Sequence, residues 1–162
     1  SIRDPYPVIF FEPKRIYRAF REPVPNEAYT LPIGKARVVT EGTDLTVVAW
    51  GAMVVEAAKA AEKSGASIEL IDLRTISPLD EDTILASVEK TGRCVVCQEA
   101  PLTLGLASEI SSLVTERCFL HLEAPVQRVA GFDTIMPYYK LEMEYLPGPD
   151  RISAAIDETL RY

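Results

Sequence analysis

Five carboxylates stand where they could act as general acids or bases: Glu12, Asp72, Glu99, Glu123 and Asp133. Glu99 and Asp133 follow apolar runs that read as parallel strands, and loops at the carboxyl ends of such strands are where α/β folds keep their contacts. A carboxylate there can shift its pKa and move protons. It can equally cap helix amides or pair with a cation. Residue type and spacing leave both roles open. His121 is the one histidine, so at most one histidine-based catalytic set exists, and within Leu120-His121-Leu122-Glu123-Ala124-Pro125 it reads as structural. Cys94-Val95-Val96-Cys97 has the spacing of a redox or zinc motif. It lies in a predicted strand, however, where residues i and i+3 point to opposite faces. With Cys118, these cysteines read as buried core thiols. The cluster Lys14, Arg15, Arg18 and Arg21 could bind phosphate; it reads more simply as a solvated or interdomain salt-bridging face.

The chain lacks a G-x-S-x-G elbow, a G-x-G-x-x-G or P-loop glycine set, an EF-hand loop and a His-x-x-x-His pair. Those gaps remove the standard sequence signals for a serine hydrolase, a dinucleotide or triphosphate site and a zinc site. The net charge of -7 argues against a nucleic-acid backbone as partner and suits a basic protein partner or plain solubility. An odd count of 3 cysteines argues against a disulfide framework and for a reducing compartment. No apolar run nears the roughly 20 residues a membrane helix needs. Ser1 in place of Met, and the mid-chain character of Ile2-Arg3-Asp4-Pro5, point to a piece of a longer polypeptide with any targeting signal outside it.

The elements that must position these side chains follow from periodicity. Val8–Phe11 is a short β-type run, expected to be a strand whose sheet partners lie elsewhere. Prolines at 13, 23, 25 and 32 exclude a long helix, so residues 12–36 read as an interdomain arm. Strands are expected at Arg37–Thr40, Leu45–Trp50, Ser67–Leu73, Arg93–Gln98 and Gln127–Ala130. Between them the 3.6-residue spacing predicts helices. One covers about 52–64 with Val54, Ala57, Ala58 and Ala61 inward, and Gly65 stops it. A second starts at Ser77-Pro78-Leu79-Asp80, buries Ile84, Leu85 and Val88, and closes at Gly92. A third covers about 104–118 with Leu106, Ile110, Leu113 and Val114 inward. A fourth starts near Pro149-Asp150 and buries Ile152, Ala155, Ile156 and Leu160, after an irregular excursion over 131–148. The alternation implies an α/β fold: a mostly parallel sheet with helices on both faces.

Several multi-residue words follow one another along the chain: Phe10-Phe-Glu-Pro-Lys14, Thr46-Val-Val-Ala-Trp-Gly51, Ile71-Asp-Leu-Arg-Thr-Ile76, Lys90-Thr-Gly-Arg93, Glu99-Ala-Pro-Leu-Thr103, Ala107-Ser-Glu-Ile-Ser-Ser112, Glu116-Arg-Cys-Phe-Leu-His-Leu-Glu-Ala-Pro125 and Arg128-Val-Ala-Gly-Phe-Asp-Thr134. Over residues 5–162 the chain resembles the β subunit of the thiamin-dependent 2-oxo acid dehydrogenases, of the branched-chain type. The Glu-Ala-Pro-Leu-Thr and Cys-Phe-Leu words favour that type over the pyruvate-specific one.

The resemblance implies that residues 1–11 end a pyrimidine-binding domain, 12–36 form the interdomain arm, and 37–162 form a transketolase C-terminal-like domain. It implies a heterotetrameric oxidoreductase of α and β subunits, with thiamin diphosphate and Mg2+ in the full enzyme. That enzyme, 3-methyl-2-oxobutanoate dehydrogenase, would act in branched-chain amino acid catabolism, passing the acyl group to a lipoyl arm. No catalytic, cofactor or metal residue is expected in this segment, which alone would be inactive. The implied partners are the α subunit, a second β subunit and the subunit-binding domain of the dihydrolipoyl acyltransferase, with Glu123 and the carboxylate of Tyr162 facing that domain's basic residues. The compartment would be the mitochondrial matrix in a eukaryote and the cytoplasm otherwise. One departure stands out. Where branched-chain relatives often carry His followed by Glu-Ala-Pro, this chain has Gln98, and Leu104-Gly105 replaces a Gly-Gly. Two other readings stay open: a pyruvate-type β subunit, and a freestanding α/β ligand-binding module with a pocket near Gly51, Thr75 and Glu99.

Overall fold

Leu45–Ala49 (β2) is apolar or β-branched throughout, and every residue in it is buried. Such a strand belongs at the centre of a sheet covered on both faces. In the computed structural model, which describes residues 1–162, β2 lies between Ile68–Asp72 (β3) and Cys94–Pro101 (β4), parallel to both. Arg37–Thr40 (β1) edges the sheet antiparallel to β3, and Gln127–Gly131 (β5) edges it parallel to β4, giving the order β1-β3-β2-β4-β5.

The two-residue strand period sorts the core into two layers. Leu45, Val47, Ala49, Leu70 and Cys97 meet Met53–Ser64 (α1) and Pro149–Leu160 (α5) on one face. Val48, Ile71, Cys94 and Val96 meet Glu81–Thr91 (α2) and Leu106–Cys118 (α3) on the other. Each fully buried Leu, Ile or Val adds about 2 kcal/mol of transfer free energy. Thr46 shares the second face, and its hydroxyl lies 2.7 Å from Ser87 Oγ and 2.8 Å from Thr91 Oγ1, so a polar atom at the sheet centre is satisfied. The α/β expectation, with helices on both faces, is borne out.

Local differences have identifiable causes. Val8–Phe11 forms no strand; Ile9, Phe10 and Phe11 are 80%, 72% and 86% exposed, with no neighbouring strand to pair with. The second helix starts at Glu81, not at Ser77-Pro78. Asp80 ends the incoming loop instead, accepting from the Ala36 amide and the Thr83 hydroxyl, both at 2.9 Å. β4 runs to Pro101, past the expected Gln98, because Pro101 pairs with Gly131 after a register shift. The fully buried face of α1 is Met53, Glu56, Ala57 and Ala60, with Val54, Ala58 and Ala61 at its margin. In α3, Ala107 and Cys118 join Ile110 and Val114 inside, while Leu106 and Leu113 are half-buried. The excursion over 131–148 contains a one-turn helix, Glu142–Tyr145 (α4). Gly65 and Gly92 close α1 and α2 in the left-handed region, at φ 71° and 69°, where a glycine costs least.

Candidate functional site

The loops after β3, β4 and β5 meet at the carboxyl edge of the sheet. Gln98, wholly buried near the end of β4, organises them. Its Nε2 donates to Pro101 O at 2.6 Å and Ala100 O at 3.3 Å, and its Oε1 accepts from Ala107 N at 2.8 Å. Ala107 N–H is one of the unpaired donors at the start of α3, so a side chain from β4 caps the helix. This is why α3 begins at Leu106 and not at Leu104. Gly105 is required by space: a Cβ there would lie 1.9 Å from Gln98 Nε2. Thr103 ties this loop to the next, donating to Asp133 from its amide at 2.9 Å and its hydroxyl at 2.6 Å. Those bonds, the hydroxyl first, hold the Asp133 carboxyl below the usual range.

The two non-glycine residues with positive φ also lie on this edge: Arg74 at 55° and Leu104 at 60°. Held strain of this kind gathers where a surface has work to do. Asp72, ending β3, is pushed above the usual carboxylate range by burial, partly offset by the Arg74 amide at 3.1 Å and the charges of Arg74 and Arg37. Arg15 of the arm crosses the same edge, 3.2 Å from Glu56 on α1 and 3.5 Å from Glu99. Between arm and excursion lies an open cleft of about 430 Å³, lined by Lys14, Arg15, Glu99, Met136, Glu142 and Tyr145 among others. Around it apolar side chains go uncovered: Leu104 is 97% exposed, Ile135 91% and Tyr138 96%, with Phe132, Tyr139 and Met143 also exposed. Phe132 is braced from beneath by the Arg151 guanidinium, 4.5 Å from its ring centroid.

The structure brings Asp72, Glu99 and Asp133 to one edge but pairs each locally, and it joins none of them to a nucleophile. Glu12 is exposed and accepts the Tyr17 hydroxyl. His121 is exposed in a 3-10 turn over Phe119–His121. Glu123 and Tyr162 lie at the opposite, amino edge: Glu123 precedes β5, and Tyr162 follows α5, the return helix from β5. Glu123 is 58% exposed but not free, since Oε2 is 2.6 Å from Arg93 Nη1. Tyr162 is 66% exposed. Cys94 and Cys97 fall in opposite core layers, as the strand spacing predicts, and all three cysteines are free and buried. Burial pushes the Cys94 thiol up to about 12 and Cys97 higher still, which makes them poor nucleophiles. Of the basic cluster, Arg15 bears out the salt-bridging reading. The Gln98 cap and the Arg93–Glu123 pair join residues that motif and periodicity do not connect. A buried amide side chain followed by Pro101 and Gly105 is the one sequence signal that points to the cap.

The sequence model of the family "Transketolase, C-terminal domain" matches residues 34–152. The chain belongs to the transketolase C-terminal domain family. It is 53% identical over 159 residues to the β subunit of the pyruvate dehydrogenase E1 component of Acholeplasma laidlawii, covering 96% of this chain and 49% of that protein. It is 52% identical over 166 residues to the β subunit of the mitochondrial 2-oxoisovalerate dehydrogenase of Dictyostelium discoideum, covering 100% and 45%. The chain thus spans about half the length of these relatives. A split-gene transketolase, an inactive β4 tetramer, superposes with a TM-score of 0.70 at 26% identity, over 82% of this chain and 43% of that one. The resemblance to β subunits of 2-oxo acid dehydrogenases, and the transketolase C-terminal-like fold, are borne out. Branched-chain character is not separated from the pyruvate type, because both kinds of relative match equally well.

Proposed function

We propose that the chain is the C-terminal assembly and partner-docking domain of the β subunit of a thiamin-dependent 2-oxo acid dehydrogenase, of the branched-chain type. The observation that carries the assembly role is the carboxyl edge, where apolar side chains from two loops stand uncovered around an open cleft. Patches of this kind mark protein contacts. A freestanding ligand-binding module is less well supported, since the cleft is lined partly by the arm, and neither Gly51 nor Thr75 contributes to it. The branched-chain choice rests on the Glu-Ala-Pro-Leu-Thr and Cys-Phe-Leu words, with the pyruvate type as the second reading. In this account the α subunit and a second β subunit cover the apolar surfaces, and the compartment is the mitochondrial matrix in a eukaryote or the cytoplasm otherwise.

Thiamin diphosphate with Mg2+ would belong to the whole enzyme. The residues at this edge do not fit that group. No three His, Cys, Asp or Glu side chains converge on one point, and the cleft sets Glu99 and Glu142 beside Lys14 and Arg15, a mixed lining unsuited to a diphosphate.

Docking of the acyltransferase's basic subunit-binding domain would use Glu123 and the Tyr162 carboxylate. With Glu123 Oε2 held by Arg93, Oε1 is the oxygen offered, and a charge-assisted contact to a guanidinium fits it. Calorimetric titration of the chain with that domain at two salt concentrations tests this. The expected result is salt-sensitive binding weakened by Glu123→Ala. Binding indifferent to both salt and Glu123→Ala would remove Glu123 from the docking site.

A further inference from the structure

Residues 1–33 are almost wholly exposed, including Phe10, Phe11, Tyr17 and Phe20. Their backbone hydrogen bonds, such as Ile16 N to Pro13 O and Tyr17 N to Lys14 O, are local. So are the side-chain bonds of Tyr6 to Asp4 and Tyr17 to Glu12. Every hydrogen bond and ion pair joining this segment to the rest of the chain passes through one side chain, Arg15.

The receiving side is built differently. Glu56 comes from the first turn of α1, and its side chain is only 10% exposed; Glu99 stands near the end of β4, 42% exposed. Two elements therefore present one carboxylate each, from different directions, to a single guanidinium. Its planar fork can serve both at once, which an ammonium on a flexible stem does less well. Lys59 also reaches Glu56, at 3.2 Å, but from the exposed face of the same helix.

We propose that Glu56 and Glu99 form a guanidinium-binding notch on the domain, occupied by Arg15, which makes the arm a strap latched at one point. The two sides of the latch are unequal. Withdrawing Arg15 leaves a nearly buried carboxylate short of a partner, which is costly, while the arm gives up no buried polar group. The notch thus draws a guanidinium in, and the arm itself contributes little to holding the seat. Pro13, Lys14 and Arg15 form one wall of the carboxyl-edge cleft, so the cleft loses that wall when the strap is unlatched. The latch also fixes the direction in which Phe10, Phe11, Tyr17 and Phe20 are presented. The inference is independent of the assembly role.

Backbone 15N relaxation on the 162-residue chain tests it, with Arg15→Met and the double variant Glu56→Gln/Glu99→Gln, which leaves the arm sequence untouched. In the unaltered chain, Arg15, Ile16 and Tyr17 should show order parameters near 0.85, the value of rigid backbone. Both variants should drop these amides below about 0.6, the flexible range, while Val47, Leu70 and Val95 keep theirs. Arg15→Lys should fall between. Order parameters over 14–17 unchanged in both variants would overturn the latch. So would loss of order that extends to Val47 and Leu70 in the double variant alone, because the carboxylates would then be supporting α1 and not the arm.

Discussion

At the amino edge of the sheet, charge is answered by charge within the chain; at the carboxyl edge, apolar side chains are left without neighbours. Before β4 and β5, Arg93 meets Glu123 at 2.6 Å. At the start of β3, the buried Glu69 bonds Lys90, which also reaches Glu41 at 3.6 Å. The opposite edge holds Leu104, Ile135 and Tyr138 almost fully exposed, and both strained non-glycine residues. Polar groups there, Gln98 and the Thr103–Asp133 pair, hold loops together instead of neutralising a surface. The contrast teaches that strong internal pairing and functional surface need not coincide. The amino edge pairs its carboxylates and leaves single oxygens for charged partners, although Arg93 Nε stays unpaired and Phe119 and Leu120 stand exposed beside it; the carboxyl edge is fastened from within and exposes more of its apolar side chains, in a fixed shape.

Gly105→Ala should loosen the carboxyl edge most. The added methyl strikes the Gln98 amide and should remove its cap on α3, costing roughly 3 kcal/mol by overpacking and a lost buried hydrogen bond. In a Gln98→Ala background the space opens, so the same substitution should cost much less, a coupling readable in urea denaturation as a double-mutant cycle. Additive effects would deny that Gln98 is what Gly105 makes room for.

Asp80→Asn comes next, at roughly 1–2 kcal/mol near neutral pH. Burial alone would raise this carboxyl, but the Ala36 amide, the Thr83 hydroxyl and Lys35 outweigh it and hold the group below its ordinary 3.8. A carboxyl depressed in the folded state binds its proton more readily when unfolded, so its contribution is fully present above 3.8 and fades as pH falls below it. Thermal melts of Asp80→Asn and the unaltered chain should therefore differ at pH 7 and converge with acidification. A gap that widens in acid would reverse the assigned sign.

Glu123→Ala, at the amino edge, should cost under about 1 kcal/mol, because the pair with Arg93 is half in solvent. The smallest effect belongs to Leu104→Asn. Its φ of 60° is a conformation Asn tolerates better than Leu, so stability should rise by a few tenths of a kcal/mol. If this edge is a contact surface, self-association should weaken at the same time. A gain in stability with association unchanged would separate the strain from the contact.

Much of the sheet was legible because strand and helix periods are written directly in the apolar spacing: Leu45–Ala49 and Ile68–Asp72 were recognisable as buried strands, and Gly65 and Gly92 as helix stops. Cys94 and Cys97 were correctly sent to opposite faces by strand geometry alone. What escaped depended on pairings across long sequence separations. Pro101 and Gly105 after Gln98 hint at a close approach but do not say that its Oε1 will cap Ala107, and nothing near Arg15 says that Glu56 and Glu99 will converge on it. Val8–Phe11 misled for the opposite reason: its local propensity is β, but a strand needs a partner, and none is adjacent. Placing the chemistry was harder than placing the elements, because Glu123 and Glu99 look alike as isolated carboxylates and differ only in which edge of the sheet they occupy.

Sedimentation equilibrium of the chain across the micromolar range tests the assembly role most directly. Reversible association to a dimer is expected, weakened by polar substitution at Leu104 and Ile135. A chain that stays monomeric throughout, with those substitutions silent, would contradict it.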